Sequence, residues 1–460
     1  MISPLSSIAE MGKALRAKKV SSVELTQMYT DRLNSIGKDH NAVAEMTTEL
    51  AMRQARAADE RLASGKAHPL TGIPFGVKDL IASKGIPTRW GSPGHADQVF
   101  DHDATALARL QDAGGVLVAK LEMIELAGGG NYNVADASRM GPGLSAWDKK
   151  LWAGGSSSGS GSSTVLGCVG FSLGSETSGS ILCPAAFNGA TGLRPTYGRV
   201  SRYGAMALAW SLDKVGPICR SAEDCGTVLE TISGWDPMDR TSLSEKLNLK
   251  ARGPKPRIGL LKEDFTKNKA DAAEKSYNDA LAVFKSLGYE TVDVEMPALP
   301  YETAMNIIVD AEGTSAHENF IRGDRFQMLK DVDQVAGFSA ALQTLAVDYL
   351  WAMRFRTEAL QANAIWDKCD CILTPTFYHA SLPVDTPFDK TWINMGGDMI
   401  SPPNLLGWPA LGMPYGFENG APIGVQVIAP AVREDICYRV ACDFQRETDW
   451  HLKKSPLANL

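Results

Sequence analysis

The sequence predicts one large α/β domain, with helices laid against a sheet. Two observations carry that prediction. Amphipathic helical patterns alternate with short, glycine-punctuated apolar runs in both halves of the chain, and no low-complexity linker divides its 460 residues. At 44% hydrophobic and 22% charged, the chain has material for a substantial core.

Capping-box patterns at Ser7/Glu10 and Ser21/Glu24 predict two N-terminal helices. The second carries Leu25, Met28, Tyr29, Leu33 and Ile36 on one face, as a core-facing helix does. An Ala-rich helix over 48–64 stops at Gly65, and the run 70–82 then turns β-like around a single cation, Lys78. A helix over 103–113, a buried strand over 116–119 and a further helix from Lys120 toward Gly128-Gly129-Gly130 continue the rhythm. The stretch 194–221 is turn-rich. A second α/β unit follows, with a strand at 257–261, a helix at 272–287 and a strand at 291–296. Residues 301–368 read as largely helical, 371–373 as a strand, 404–430 as strands and turns, and 433–448 as a helix. The alternative to one domain is a separable lobe around 254–370.

A formal net charge of −7, with no dense Lys/Arg run, gives no reason to expect a nucleic-acid surface. The N-terminal residues lack the apolar core of a secretory signal, and no window is apolar for the ~18 residues that a bilayer span requires. The eight cysteines form no CxxC pair and the seven histidines are scattered. Reduced thiols in a cytoplasmic protein are therefore expected, with no metal and no cofactor.

The chemistry concentrates in GGSSSGSGSSTVLGCVGFSLGSETSGSILCP, residues 154–184. A Gly/Ser tract is ordinarily a linker, but the apolar run 164–173 inside it demands burial. The pattern predicts two serine-bearing turns with a short helix and strand between them. Three nucleophile templates compete there. The G-x-S-x-G match nominates Ser157, with His317, His379 and His451 as formal triad partners, but it lacks the preceding apolar strand. An S-x-x-K match at Ser211 and Lys214 lacks its companion motifs. The third template is a serine activated by lysine. A lysine serves as a base only when neutral, and lowering its pKa from about 10.4 by ~3 units costs about 4 kcal/mol of desolvation. Lys78, inside an apolar run, suits that demand; pairing with Asp79 or another carboxylate is the equal alternative.

The chain resembles the amidase signature family. The resemblance is carried by GIPFGVKD (72–79), DATALARLQDAGGVLVAKLEM (103–123), GGSSSGS (154–160), GSETSGSILCPAAFNGATGLRPTYGRVS (174–201), LTPT (373–376) and GAPIGVQVIA (420–429). It implies a single α/β/α domain over 1–460 with a central mixed twisted sheet covered by helices. N-terminal helices would occupy 1–66, a catalytic core 67–235 and a variable substrate-shaping region about 300–370. It also implies a Ser-Ser-Lys triad hydrolysing amides, with Ser180 as nucleophile, Ser156 as proton relay after a cis peptide, and neutral Lys78 as general base. Thr177, Ser178, Gly179 and Ser180 would form the oxyanion turn, and Gly129 and Gly130 the substrate-side loop.

The sequence departs from the family's usual DTGGSIR block at Glu176, Ser178 and Leu182. The resemblance leaves two functional expectations. The first is a stand-alone amidase acting on an aryl or alkyl amide or a carbamate, with Trp152 and Trp351 as apolar walls. Its expected partners are that small molecule and, for assembly, a possible homodimer, with no nucleic acid and no membrane. The second is the glutamine-hydrolysing subunit of a tRNA-dependent amidotransferase, which takes glutamine as ammonia donor. TYGRVSRYG favours it, while AVDYLWAMRFRTEAL stands where that subunit has an RRIMLG-like block.

Overall fold

A computed structural model describes residues 2–251, 253–261, 271–390 and 399–459. Eleven strands among these residues form one sheet. In chain order they are β1 (Val43–Met46), β2 (Pro74–Lys78), β3 (Val116–Leu121), β4 (Phe171–Glu176), β5 (Thr191–Arg194) and β6 (Lys214–Cys219). They continue with β7 (Ile258–Leu261), β8 (Thr291–Val294), β9 (Cys371–Pro375), β10 (Ala410–Glu418) and β11 (Ala421–Ile428). The spatial order is β1-β3-β2-β4-β6-β5-β10-β11-β9-β7-β8. β2 runs parallel to both β3 and β4, the middle of the sheet from β4 to β9 is antiparallel, and β9, β7 and β8 are parallel again. The mixed α/β architecture expected from the sequence is the one observed. β7 and β8 extend the same sheet through β9, so the stretch after 254 shares it instead of building its own.

Local chemistry accounts for most element boundaries. Both N-terminal capping boxes form, with Ser7 and Ser21 accepting the Glu10 and Glu24 N–H groups while each glutamate side chain accepts from its serine's N–H. The helix Thr48–Ala63 ends before Gly65, whose φ of +75° an L side chain would resist. One expected element is missing. β3 runs on through Lys120 to Leu121 because the Lys120 ammonium is drawn inward to Asp79, and Leu126 and Ala127 then take left-handed φ values of +46° and +56°. A short 3₁₀ turn at Glu125–Gly128 stands where the helix was expected.

Two core layers cover the sheet. One contains Phe75, Val77, Phe171 and Leu173 with Leu107 and Leu229, and the other contains Val118, Leu121, Val165, Ile218 and Ile428. All eight cysteines are buried and unpaired. The serine-rich segment lies inside this framework. Gly155 to Ser157 turns into the fully buried helix Ser158–Val165, β4 follows, and a second turn leads into the helix Leu182–Asn188. Both turns meet the carboxyl ends of the parallel pair β2 and β4, where open α/β sheets hold their ligands.

Candidate active site

Lys78 is the last residue of β2 and is wholly buried. Its Nζ lies 2.7 Å from Ser156 Oγ and 3.0 Å from Ser175 Oγ, with the Ser175 carbonyl at 3.4 Å. No carboxylate hydrogen-bonds to it among the described residues. Asp79 faces away and pairs with the equally buried Lys120 at 3.2 Å, so the competing explanation for Lys78 does not hold. Burial pulls the Lys78 ammonium down to about 7, against the opposing fields of Asp213 and Glu176. A lysine so placed can accept a proton near neutral pH.

The Gly155–Ser156 peptide bond is cis. Ile124 N–H donates to the Ser156 carbonyl at 3.1 Å, and Ser157 N–H donates to the Ser180 carbonyl at 3.3 Å, which joins the two serine turns. Ser157 itself is consumed structurally: its hydroxyl reaches the Ser175 carbonyl at 3.3 Å and accepts the Ser175 N–H at 3.4 Å. The three histidines that a histidine-based triad would need are engaged elsewhere. His317 meets the Ala207 carbonyl, His379 faces Glu418, and His451 lies near Arg220.

Ser180 is 9% exposed, and among the described residues its hydroxyl has no hydrogen-bond partner. The N–H groups of Thr177, Ser178, Gly179 and Ser180 likewise meet no acceptor there, and Gly179 has a φ of +84°. Successive free N–H groups beside a free hydroxyl can take up an oxyanion. The turn is closed from beneath by Glu176, whose Oε2 accepts the N–H groups of Ile181 and Leu182 at 2.9 and 3.0 Å. Burial alone would raise the Glu176 carboxyl. Arg194, 2.8 Å from Oε1, and Lys214 instead hold it at about 2.

The Gly129–Gly130 loop is gripped by the helix Val332–Ala341. Gln334 Nε2 donates to the carbonyls of Glu125 and Gly129 at 2.9 and 2.7 Å. A Cβ on Gly129 would lie 2.5 Å from Phe338, which explains the glycine there. The Gly129 N–H is committed to the Leu126 carbonyl. Trp152 joins Tyr132, Phe187, Phe377 and Phe388 in an aromatic cluster packed on Gly155. Trp351 does not join it; the ring lies 37% exposed and stacked on Phe355.

Sequence reasoning missed Ser175, Asp213, Asn404 and Gln334. Their only signal was position: Ser175 points to the Lys78 side of β4, whereas the others come from segments distant in sequence. A cavity of about 220 Å³ is lined by Ser175, Thr177, Asp213 and Lys214 together with Leu80, Leu208 and Trp210.

A buried lysine hydrogen-bonded to one serine, beside a second serine under free N–H groups, is an arrangement suited to a serine-dependent amide hydrolase. The chain belongs to the amidase signature family: residues 24–437 match the family profile described as Amidase. The A subunit of a glutamyl-tRNA(Gln) amidotransferase from Geobacter sp. (strain M21) is 35% identical, over 98% of this chain and 99% of that protein. Among solved structures, a chain of a vestigial protein complex that bears on the evolutionary origins of an s-triazine catabolic enzyme matches at 29% identity and a TM-score of 0.87, over 96% of this chain and 98% of that one. The peptide amidase from Stenotrophomonas maltophilia matches at 26% identity and a TM-score of 0.82, over 96% and 97%. The chain is an amide C–N hydrolase with the family's fold.

The expected partner set is corrected by these relatives. A small-molecule substrate with no nucleic acid, and a possible homodimer as the assembly, does not fit a chain whose relatives at 33–35% identity are named as one subunit of an enzyme acting on a charged tRNA. The physical reason for the error is plain. Net charge describes a chain's own surface and says nothing of a basic surface that a companion protein brings to an assembly. Among the described residues no helix is long and apolar enough to cross a membrane.

Proposed function

We propose that the chain cleaves a carboxamide through an ester on Ser180, with Ser156 as the proton relay and neutral Lys78 as the general base. The observation that carries this reading is Lys78 Nζ, buried, with no carboxylate partner among the described residues, and 2.7 Å from Ser156 Oγ. Ser180 Oγ attacks the carbonyl carbon while its proton passes to Ser156, whose own proton moves to Lys78. The N–H groups of the 177–180 turn receive the charge that grows on the carbonyl oxygen. As the C–N bond breaks, the proton returns through Ser156 to the departing nitrogen. Water, deprotonated by the same relay, then releases the acid. Gly129 and Gly130 form the wall facing the substrate.

For the substrate we infer the side-chain amide of glutamine, with the chain serving as the hydrolytic component of a tRNA-dependent amidotransferase. Its support is the full-length likeness to proteins of that name. A second reading, an aryl or alkyl amide or a carbamate, is favoured by the aromatic cluster beside Ser156 and by Leu182, which removes a cation from the acyl site. The eight buried free thiols suit the reducing cytoplasm, where we place the chain. The deciding experiment assays glutamine and an anilide with the chain alone and with candidate companion proteins. Glutaminase activity on reconstitution supports the first reading. Anilide turnover with no glutaminase in any combination replaces it by the second.

A further inference from the structure

The turn bearing Ser180 is held from behind by buried charges that the scheme above does not use. Lys214 stands opposite Glu176 in the β4–β6 ladder and is 2% exposed. Its Nζ donates to the Thr177 carbonyl at 3.3 Å and to Asn404 Oδ1 at 2.8 Å. The preceding residue, Asp213, accepts the Thr177 hydroxyl at 2.5 Å and is itself fixed by the N–H groups of Leu208 and Ala209. Two consecutive residues therefore grip Thr177, one by its carbonyl and one by its side chain. Burial drives the Lys214 ammonium well below the usual lysine range and the Asp213 carboxyl upward.

The planarity of the peptide unit gives this grip a chemical meaning. In a trans peptide the carbonyl of one residue and the N–H of the next point in opposite directions. Holding the Thr177 carbonyl toward β6 therefore aims the Ser178 N–H away from β6, into the turn whose free N–H groups surround Ser180. The sequence also supplies a reason for lysine here. Leu182 stands where the family block has arginine, and Lys214 brings an Nζ donor to the same buried neighbourhood, linked to Glu176 through Asn404, whose Nδ2 donates to Glu176 Oε1 at 3.0 Å.

We propose that Lys214 is a positioning residue for the reaction, orienting the Thr177–Ser178 peptide so that the Ser178 N–H meets the oxyanion. The S-x-x-K match that had no companion motifs thus marks a lysine acting on Thr177, while Ser211 is used through its backbone, whose N–H donates to Glu312. This role for Lys214 rests on Ser180 being the nucleophile.

The test is labelling by a phosphonofluoridate, in which the serine oxygen bonds to phosphorus, fluoride leaves, and the P–O oxygen occupies the oxyanion position. The maximal labelling rate and the half-saturating probe concentration are read separately on Lys214→Met, Lys214→Gln and Leu182→Arg/Lys214→Met. Both quantities describe whatever fraction is folded, so a stability loss does not mimic the effect. The expected result for Lys214→Met is a maximal rate lower by roughly ten- to a hundredfold with half-saturation unchanged, a misaimed donor forfeiting part of the roughly hundred- to thousandfold that its complete loss would cost. Lys214→Gln, which keeps a donor without the charge, is expected to recover most of the rate. A wild-type maximal rate in Lys214→Met, or equal losses in the Met and Gln variants, would overturn the proposal. Given recovery in Lys214→Gln, recovery in the double variant as well shows that a donor restored at position 182 can also hold the turn, and its absence confines the role to position 214; both support positioning. Labelling that persists in Ser180→Ala would sink the nucleophile reading instead.

Discussion

Ser157 N–H donates to the Ser180 carbonyl at 3.3 Å, and this bond joins the turn bearing Ser156 to the turn bearing Ser180. The backbone of Ser157 thus matters to assembly, while its hydroxyl is spent on Ser175. Ser180→Ala should abolish turnover with the melting temperature unchanged. Ser157→Ala should keep turnover within severalfold and lose roughly 1 kcal/mol of stability, the usual contribution of a hydrogen bond. Amide hydrolysis and thermal melts on both variants check this, and a turnover loss in Ser157→Ala equal to that in Ser180→Ala would identify the wrong serine.

As the proposed general base, Lys78 should set the pH dependence. With its ammonium near 7, the neutral base is scarce in acid and dominant in alkali. The rate of acylation should climb about tenfold per pH unit below that point and level off above it. Lys78→Met should remove the limb as well as most of the rate. A limb that survives the substitution would belong to another group.

Glu176 ties the turn bearing Ser180 to the sheet, and its carboxyl is held at about 2, below an ordinary 4.5. A carboxyl lowered on folding stabilises the protein above its unfolded pKa, and that contribution fades as pH falls through the folded value. The difference corresponds to about 3 kcal/mol, lost between roughly pH 4.5 and 2. Glu176→Gln should flatten the acid limb of the stability curve. It should also cost about 3–5 kcal/mol at neutral pH, because Arg194 is left buried without its partner. Urea titrations across that pH range measure both effects.

Gln334 couples the helix Val332–Ala341 to the loop at Gly129. Gln334→Leu strips two buried carbonyls of their donor, a loss of about 1–3 kcal/mol each. Substrate should bind more weakly, with KM raised, while the Lys78-governed pH limb keeps its position. Steady-state kinetics over pH separates the two, and a displaced limb with KM unchanged would contradict this role.

How much of this was legible beforehand depended on locality. Lys78 could be found because an isolated cation in an apolar run is conspicuous, and Ser156 and Ser180 because family motifs frame them. The helix expected from Lys120 failed because a helical pattern is a local signal, whereas Lys120 obeys a buried aspartate 41 positions away in the chain. Lys214 was visible only as a misleading motif. Its use depends on the antiparallel register that sets it opposite Glu176, which no stretch of sequence displays. Asn404 and Gln334 come from segments far along the chain from the Glu176 carboxylate and the Gly129 loop they support, so nothing near either announces them.

The eight unpaired thiols give the molecule a set of internal reporters. Cys168 and Cys183 sit within the serine-bearing segment, Cys219 and Cys225 at and beyond the end of β6, Cys369 and Cys371 at β9, and Cys437 and Cys442 on the C-terminal helix. An alkylating reagent reaches each one only when the scaffold around it opens. The order in which the eight are modified therefore traces the order in which the sheet comes apart, and shows whether the catalytic turns let go before or after the rest.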